Sequence, residues 1–135
     1  MSQSLKIAIV GDYNFTYNSH HATNLALDHA AHFLDIDINY YWIGLNDVIK
    51  FRPQHFDEYD GILIAPGPIK NEFFLHGIVK EIIGKTIPVL ITGDGFRTLL
   101  DVLIVRIYKL WHHQIWAIRE WRRLSYLEYS TDFQC

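Results

Sequence analysis

The chain has 135 residues, half of them apolar and a fifth charged, with a formal net charge of −3. This length fits one domain, and the composition excludes a disordered chain and a strongly basic nucleic-acid binder. The single cysteine, Cys135, excludes an internal disulfide and suits a reducing compartment. No apolar run approaches the roughly 18 residues of a membrane span, and the N-terminus lacks a signal-peptide pattern. We therefore expect a cytoplasmic protein that binds neither membrane nor nucleic acid.

The first half of the chain predicts a strand, a helix and a second strand. Residues 5–10 form a short β-branched apolar run, which is typical of a buried strand. Asn18 or Ser19 is expected to cap a helix over residues 20–34. The side chains of this helix that recur at helical spacing, and so are expected to face a sheet, are Ala22, Ala26, His29, Ala30 and Phe33. In residues 36–42 the apolar side chains alternate, which predicts a strand with one better-buried face.

The second half predicts two further strands and two further helices. Residues 61–65 and 87–92 are apolar runs bounded by Gly and Pro, as buried strands are. Residues 71–83 form an amphipathic pattern for which Gly84 is the expected C-cap. A longer helical pattern runs from about residue 96 to at least residue 121. Strands that alternate with helices in this way predict an α/β fold, with a parallel sheet flanked by helices on both faces.

The composition changes near residue 103. Residues 1–103 carry seven basic and twelve acidic side chains, whereas residues 104–135 carry five basic and three acidic ones with three of the four tryptophans. We therefore predict an α/β domain over residues 1–103 and an aromatic, basic helical extension over residues 104–135. A helix that is apolar on several faces must be covered on several faces, by its own domain, a partner subunit or a membrane surface. We expect this helix to be covered by its own domain and by a partner subunit, so that a homodimer forms through it.

Three loops are expected at the carboxyl ends of the strands, where ligands bind in parallel sheets. They are residues 10–24 (VGDYNFTYNSHHATN), residues 60–68 (DGILIAPGP) and residues 88–96 (PVLITGDGF). In this order and spacing they resemble the class I glutamine amidotransferases, specifically the CTP-synthase-type glutaminases and their stand-alone relatives. The resemblance covers residues 6 to about 97. The resemblance implies a truncated flavodoxin-like fold and an activity that requires no cofactor. The activity of the family is glutamine hydrolysis for CTP synthesis.

The catalytic residues of that family have no counterpart in this chain. The resemblance places the nucleophilic cysteine at Gly93, beside Asp94 and Gly95, and glycine has no side chain that could form a thioester. The family's histidine and glutamate belong to a downstream segment that this sequence does not match. Residues 65–68 match the loop whose backbone N–H binds the reaction intermediate, although Pro68 brings in a residue without an N–H. We therefore expect a catalytically degenerate binding, regulatory or interaction module related to pyrimidine nucleotide metabolism.

The same strand ends are expected to border a pocket for a small molecule. The residues expected to line it are Gly11, Asp12, Tyr13, His20, Gly67 and Asp94. An alternative function is a small-molecule hydrolase or other enzyme that uses Asp94, His20 and Tyr13. A tight turn in which Asp94 helps to cap the next helix explains the same residues without catalysis.

Two further alternatives concern metal and the tail. Histidines cluster early in the chain, but they do not complete a set of ligands at i and i+4, so no metal site is expected. The histidines in question are His20, His21, His29 and His32. The tail beyond residue 103 could also be a divergent or frame-shifted replacement of the family's second half, without a selected function.

Overall fold

The computed structural model describes residues 3–48, 50 and 53–110. The chain divides into two compact units, residues 1–102 and 103–135. The elements in chain order are β1 (Ser4–Val10), α1 (Asn18–Leu34), β2 (Asp37–Ile43), α2 (Leu45–Val48), a 3₁₀ helix (Pro53–Glu58), β3 (Gly61–Ile64), α3 (Glu72–Ile82), β4 (Val89–Ile91) and α4 (Asp94–Leu110). The predicted continuation of the last helix to residue 121 lies outside the described residues. Over the ranges described, no helix is long and apolar enough to cross a bilayer.

The four strands form one parallel sheet in the order β2-β1-β3-β4. β1 pairs with β2 over seven residues, from Ser4 opposite Asp37 to Val10 opposite Ile43. On its other side β1 pairs with β3, and β3 pairs with β4. This arrangement confirms the predicted α/β fold, and its strand order is the beginning of the flavodoxin-like order 2-1-3-4-5. The direction in which successive strands are added reverses between β1 and β3.

Helices cover both faces of this sheet and create two cores. On one face, side chains of all four strands pack against α2, α3 and α4, and the fully buried members include Ala8, Ile64, Leu75, Val79 and Ile82. On the other face, Ile9, Leu63 and Ala65 form a smaller cluster with Leu27 of α1 and with Tyr40 and Trp42 of β2. The alternation predicted for β2 is confirmed, because every second side chain from Ile38 onwards is partly buried.

The sequence misidentified the side of α1 that faces the sheet. Ala22, Ala26 and His29 are exposed, and Phe33 is 87% exposed. Ala30 alone of the five predicted residues is partly buried. The inward side chains are instead His20, which is buried, and Asn24 and Leu27, which are partly buried. The expectation followed the spacing of mostly small and apolar side chains, whereas the observed inward face includes the polar His20 and Asn24. The polar inward side chains are tolerated there because hydrogen bonds satisfy them: Trp42 Nε1, for example, donates to Asn24 Oδ1 over 2.8 Å.

Both predicted helix caps are also wrong. The N-cap of α1 is Tyr17, one residue before the expected Asn18, and its side chain makes no capping bond. The C-cap of α3 is Ile83 in the right-handed conformation, and Gly84 has no positive φ. The N–H of Gly84 closes the last turn by donating to the Glu81 carbonyl over 3.2 Å, so this helix ends without a left-handed glycine.

Candidate functional site at the carboxyl edge of the sheet

Three segments meet where the strands end. β1 is followed by Gly11 to Tyr17, β3 by Ala65 to Asn71, and β4 by the turn that starts α4. The Gly67 carbonyl accepts a hydrogen bond from His20 Nε2 over 3.0 Å, and the N–H of Asp94 donates to the Pro66 carbonyl over 3.1 Å. The structure therefore links Gly67 to His20, and it links the loop that contains Gly67 to Asp94. These are three of the residues expected to line a pocket.

The turn after β4 has the strand–turn–helix form of a nucleophile elbow, but it has no space for a side chain. Gly93 lies between β4 and α4 with a φ of +55°. A Cβ atom built on Gly93 would overlap the carbonyl group of Pro66. The neighbouring Thr92 hydroxyl donates to the Ile64 carbonyl over 3.1 Å and ties the turn to β3. Residue 93 is therefore glycine for two reasons, its positive φ and its contact with the Pro66 backbone.

The backbone donor that follows this position is already occupied. In a nucleophile elbow, the N–H of the residue after the nucleophile helps to stabilise the oxyanion of the reaction intermediate. Here that residue is Asp94, and its N–H donates to the Pro66 carbonyl. An oxyanion cannot accept from this N–H unless the backbone at Pro66 moves.

Two further glycines keep the strand ends in close contact. A Cβ on Gly11 would lie 2.5 Å from the Cβ of Ala65, so β1 and β3 end too close together for a side chain there. Gly67 has a φ of +97°, and a Cβ on it would overlap the Asp94 carboxylate. The Asp94 side chain is therefore packed against the loop after β3.

His20 is a buried structural histidine. It is 1% exposed, its Nδ1 accepts from the Asn14 N–H over 3.0 Å, and its Nε2 lies 3.0 Å from the Gly67 carbonyl. Because a backbone N–H can only donate, Nδ1 carries no proton and Nε2 is the donor. Both ring nitrogens are therefore occupied, and His20 joins the loop after β1 to the loop after β3. It cannot act as a general base while these two bonds persist.

The remaining two pocket candidates have different roles. Asp12 Oδ1 accepts from the Leu45 N–H over 3.1 Å and so fixes the start of α2. Tyr13 is 43% exposed, and its ring stacks on His20 with 5.8 Å between ring centroids. The Tyr13 ring also lies 4.9 Å from the Trp42 ring. Tyr13 is therefore held in place from one side and open to solvent on the other.

Three residues of this edge were missed in the sequence. Phe15 is 75% exposed, Trp42 supports Tyr13 from β2, and Asn14 braces the loop between them. A signal was present, because every second residue from Tyr13 to Tyr17 is aromatic.

One titratable group on the strand beside this loop has a shifted pKa. Beside the loop edge, burial raises the pKa of Tyr40, and the nearby Asp28 carboxylate adds to this effect. Among the residues that the structure describes, no group of three or more His, Cys, Asp or Glu side chains could hold a metal ion.

Comparison of the chain with protein-family models and with curated proteins finds no match. The resemblance to the glutaminases therefore stays a prediction from the order of the three loop motifs.

Proposed function

We propose that the chain is a catalytically inactive relative of the CTP-synthase-type glutaminases that acts as a binding or regulatory module in the cytoplasm. Support comes from the three loop motifs, which follow β1, β3 and β4 and meet at one edge of the sheet. The scaffold of a site can persist after its chemistry is lost, because fold and site are separable. The related pathway would be pyrimidine nucleotide metabolism.

The observation that carries this proposal is the position of the Pro66 carbonyl. It lies where a side chain of residue 93 would begin, and it accepts the N–H of Asp94. One backbone group thus removes both the space for a nucleophile and one donor for an oxyanion. Replacing Gly93 by cysteine would not restore activity, because the thiol would need the Pro66 backbone to move first.

The direct test is ammonia release from glutamine by the purified chain and by Gly93→Cys. Both proteins are expected to release ammonia only at the rate of a blank without protein, while an active glutaminase is run in parallel as a positive control. Glutamine-dependent ammonia release by the unmodified chain, abolished by heat denaturation, would contradict the proposal.

The alternative enzyme, which uses Asp94, His20 and Tyr13, has less support. A hydrolase needs a base with a free nitrogen or oxygen beside its nucleophile. Both nitrogens of His20 are occupied, and the Asp94 carboxylate packs against Gly67. These side chains are better explained as parts that hold the loops together.

We further propose that the chain forms a homodimer through residues 104–135. The support is compositional: this extension is basic and rich in tryptophan, whereas the domain before it is acidic. Sedimentation over a range of concentrations is expected to show a dimer, and Trp116→Ala and Trp121→Ala are expected to weaken it. A monomer at high concentration, with both variants equally well behaved, would contradict this part of the proposal.

A further inference from the structure

His20 joins two loops beside the point where the strand order reverses, between β1 and β3. Its Nδ1 accepts from the Asn14 N–H in the loop after β1, and its Nε2 donates to the Gly67 carbonyl in the loop after β3, each over 3.0 Å. Ser19 Oγ donates to the same carbonyl over a longer 3.4 Å. The connection between the two loops therefore depends chiefly on one imidazole, which is 1% exposed.

Both hydrogen bonds of this imidazole can form only when the ring is uncharged. A backbone N–H can only donate, so the Nδ1 that faces Asn14 must keep its lone pair available. A proton on Nδ1 would place one donor against another and would leave the Asn14 N–H without its acceptor. His20 can therefore hold the two loops together only in its neutral form.

The aromatic surroundings of His20 do not replace the bond that a second proton would break. Three rings have their centroids 4.8–5.8 Å from that of the imidazole, and they belong to Tyr13, Tyr17 and Trp42. Ring faces attract a cation. They leave the Asn14 N–H without an acceptor, however, and a charge buried without an ionic partner is costly.

No charged side chain of the neighbouring elements serves as that ionic partner. Asp12, in the loop after β1, accepts from the first N–H of α2, and Asp94, at the start of α4, packs against Gly67. Lys70, in the loop after β3, is exposed. No carboxylate of a described residue forms a salt bridge with His20. A protonated His20 would therefore be more stable outside its present position, in water.

We propose that His20 is an acid-sensitive latch, which joins the loop after β1 to the loop after β3 when neutral and releases them when protonated. Release exposes the Asn14 N–H and the Gly67 carbonyl to water. The larger core, formed by the strands with α2, α3 and α4, stays in place. The stabilisation by the latch is complete above the pH at which an accessible histidine takes up its second proton, and it is lost as pH falls below that value.

Hydrogen exchange of the Asn14 amide tests the latch, followed by NMR on the full chain and corrected for the intrinsic effect of pH on exchange. An accessible histidine takes up its second proton at about pH 6.5. The ratio of open to closed latch should therefore rise about tenfold between about pH 7.5 and about pH 5.5, because about ten open molecules are then protonated for each neutral one. The Ile62 amide, which donates to the Pro88 carbonyl within the sheet, should stay better protected than Asn14.

Two matched variants assign this response to His20. His20→Gln removes the titrating ring, so the protection of the Asn14 amide should no longer fall in acid, whatever its level. His21→Gln is the control, because His21 is exposed and its Nε2 donates to the Phe15 carbonyl over 2.9 Å, a bond that protonation of the ring preserves. The acid response of this control should equal that of the unmodified chain.

Several results would overturn the latch. They are equal protection of the Asn14 amide at the two pH values in the unmodified chain, or the same loss in acid in His20→Gln. Equal protection of Asn14 and Ile62 in acid would mean that the whole domain opens instead. Ring-nitrogen chemical shifts that place the proton on Nδ1 at neutral pH would also overturn it, and they need only the unmodified chain. None of these results depends on glutamine hydrolysis, so failure of the latch and failure of the proposed function are distinguishable.

Discussion

Two neighbouring loops at one edge of the sheet are built in opposite ways. The loop after β3 and the turn after β4 are in backbone contact, with the Pro66 carbonyl against Gly93 and bonded to the Asp94 N–H. The loop after β1 is braced by side chains and exposes Tyr13 and Phe15. The first arrangement leaves no space for a reacting group, whereas the second leaves aromatic surface open.

This difference shows that two loops at one edge of a sheet can be fixed in different ways, by backbone contact or by side-chain hydrogen bonds. A catalytic turn needs a side chain of defined geometry and free donors around it. Glycine at residue 93 permits the backbone to close over that space instead. The loop after β1 is fixed by side-chain hydrogen bonds instead, and it leaves the rings of Tyr13 and Phe15 exposed.

The largest effect is expected from a side chain at residue 93. Gly93→Cys should lower the free energy of unfolding by roughly 4 kcal/mol, because a φ of +55° is strained for cysteine and the new Cβ overlaps Pro66. Urea denaturation followed by circular dichroism measures this loss. The matched control is Gly77→Ala in α3, where a new Cβ meets nothing within 4 Å and a gain of about 0.5–1 kcal/mol is expected. Equal stability of Gly93→Cys and the unmodified chain would mean that the turn is open.

A smaller loss is expected when the bridge between the two loops is removed. His20→Ala leaves the Asn14 N–H and the Gly67 carbonyl without their partner and creates a cavity under Tyr13, at a cost of about 3 kcal/mol. Thermal denaturation compares it with His32→Ala, an exposed histidine of the same helix, which should change stability by less than about 0.5 kcal/mol. Similar melting temperatures for the two variants would show that His20 does not hold the loops together.

The contact between the ends of β1 and β3 should be less costly to disturb. Gly11→Ala is expected to destabilise the domain by about 2 kcal/mol, because its Cβ would lie 2.5 Å from that of Ala65. Gly84→Ala is the control, since its Cβ would lie 3.5 Å from the nearest atom, an ordinary contact. Equal melting temperatures of the two variants would mean that the ends of β1 and β3 can separate without loss of stability.

The smallest effect concerns Tyr40 and Asp28, on the side of the sheet that α1 covers. Burial and the Asp28 carboxylate raise the pKa of Tyr40. The folded state therefore keeps a neutral phenol at a pH where the unfolded chain already ionises. The resulting contribution to stability is complete below the pKa of the unfolded chain and is lost as pH rises through that of the folded state.

Asp28→Asn should therefore lower the pKa of Tyr40 without returning it to the ordinary tyrosine value, because burial, the larger cause, remains. The ring-carbon chemical shifts of Tyr40, followed by NMR across alkaline pH, measure this change. Asp35→Asn is a suitable control, since Asn tolerates the left-handed conformation of Asp35 at the end of α1. An unchanged titration of Tyr40 in Asp28→Asn would show that Asp28 does not raise the pKa of Tyr40.

The sequence predicted the sheet better than the site. Apolar runs such as residues 5–10 and 61–65 identify buried strands because the whole signal lies within a few consecutive residues, bounded by turn residues. The inward face of α1 depends on His20, whose partner Gly67 is 47 residues away in the chain. The closed turn depends on Pro66 and Gly93, which are likewise brought together only by the fold. Contacts of this kind leave no periodic pattern in the sequence.

The central claim is that the Asp94 N–H donates to the Pro66 carbonyl and is therefore not free to bind an oxyanion, as the corresponding N–H of a glutaminase would be. NMR can test it through the scalar coupling transmitted across a hydrogen bond, from the Asp94 amide nitrogen to the Pro66 carbonyl carbon. We predict a measurable coupling that is the same with and without millimolar glutamine. No coupling, together with an Asp94 amide signal that shifts as glutamine is added, would contradict the account, because the donor would then be free to bind a substrate.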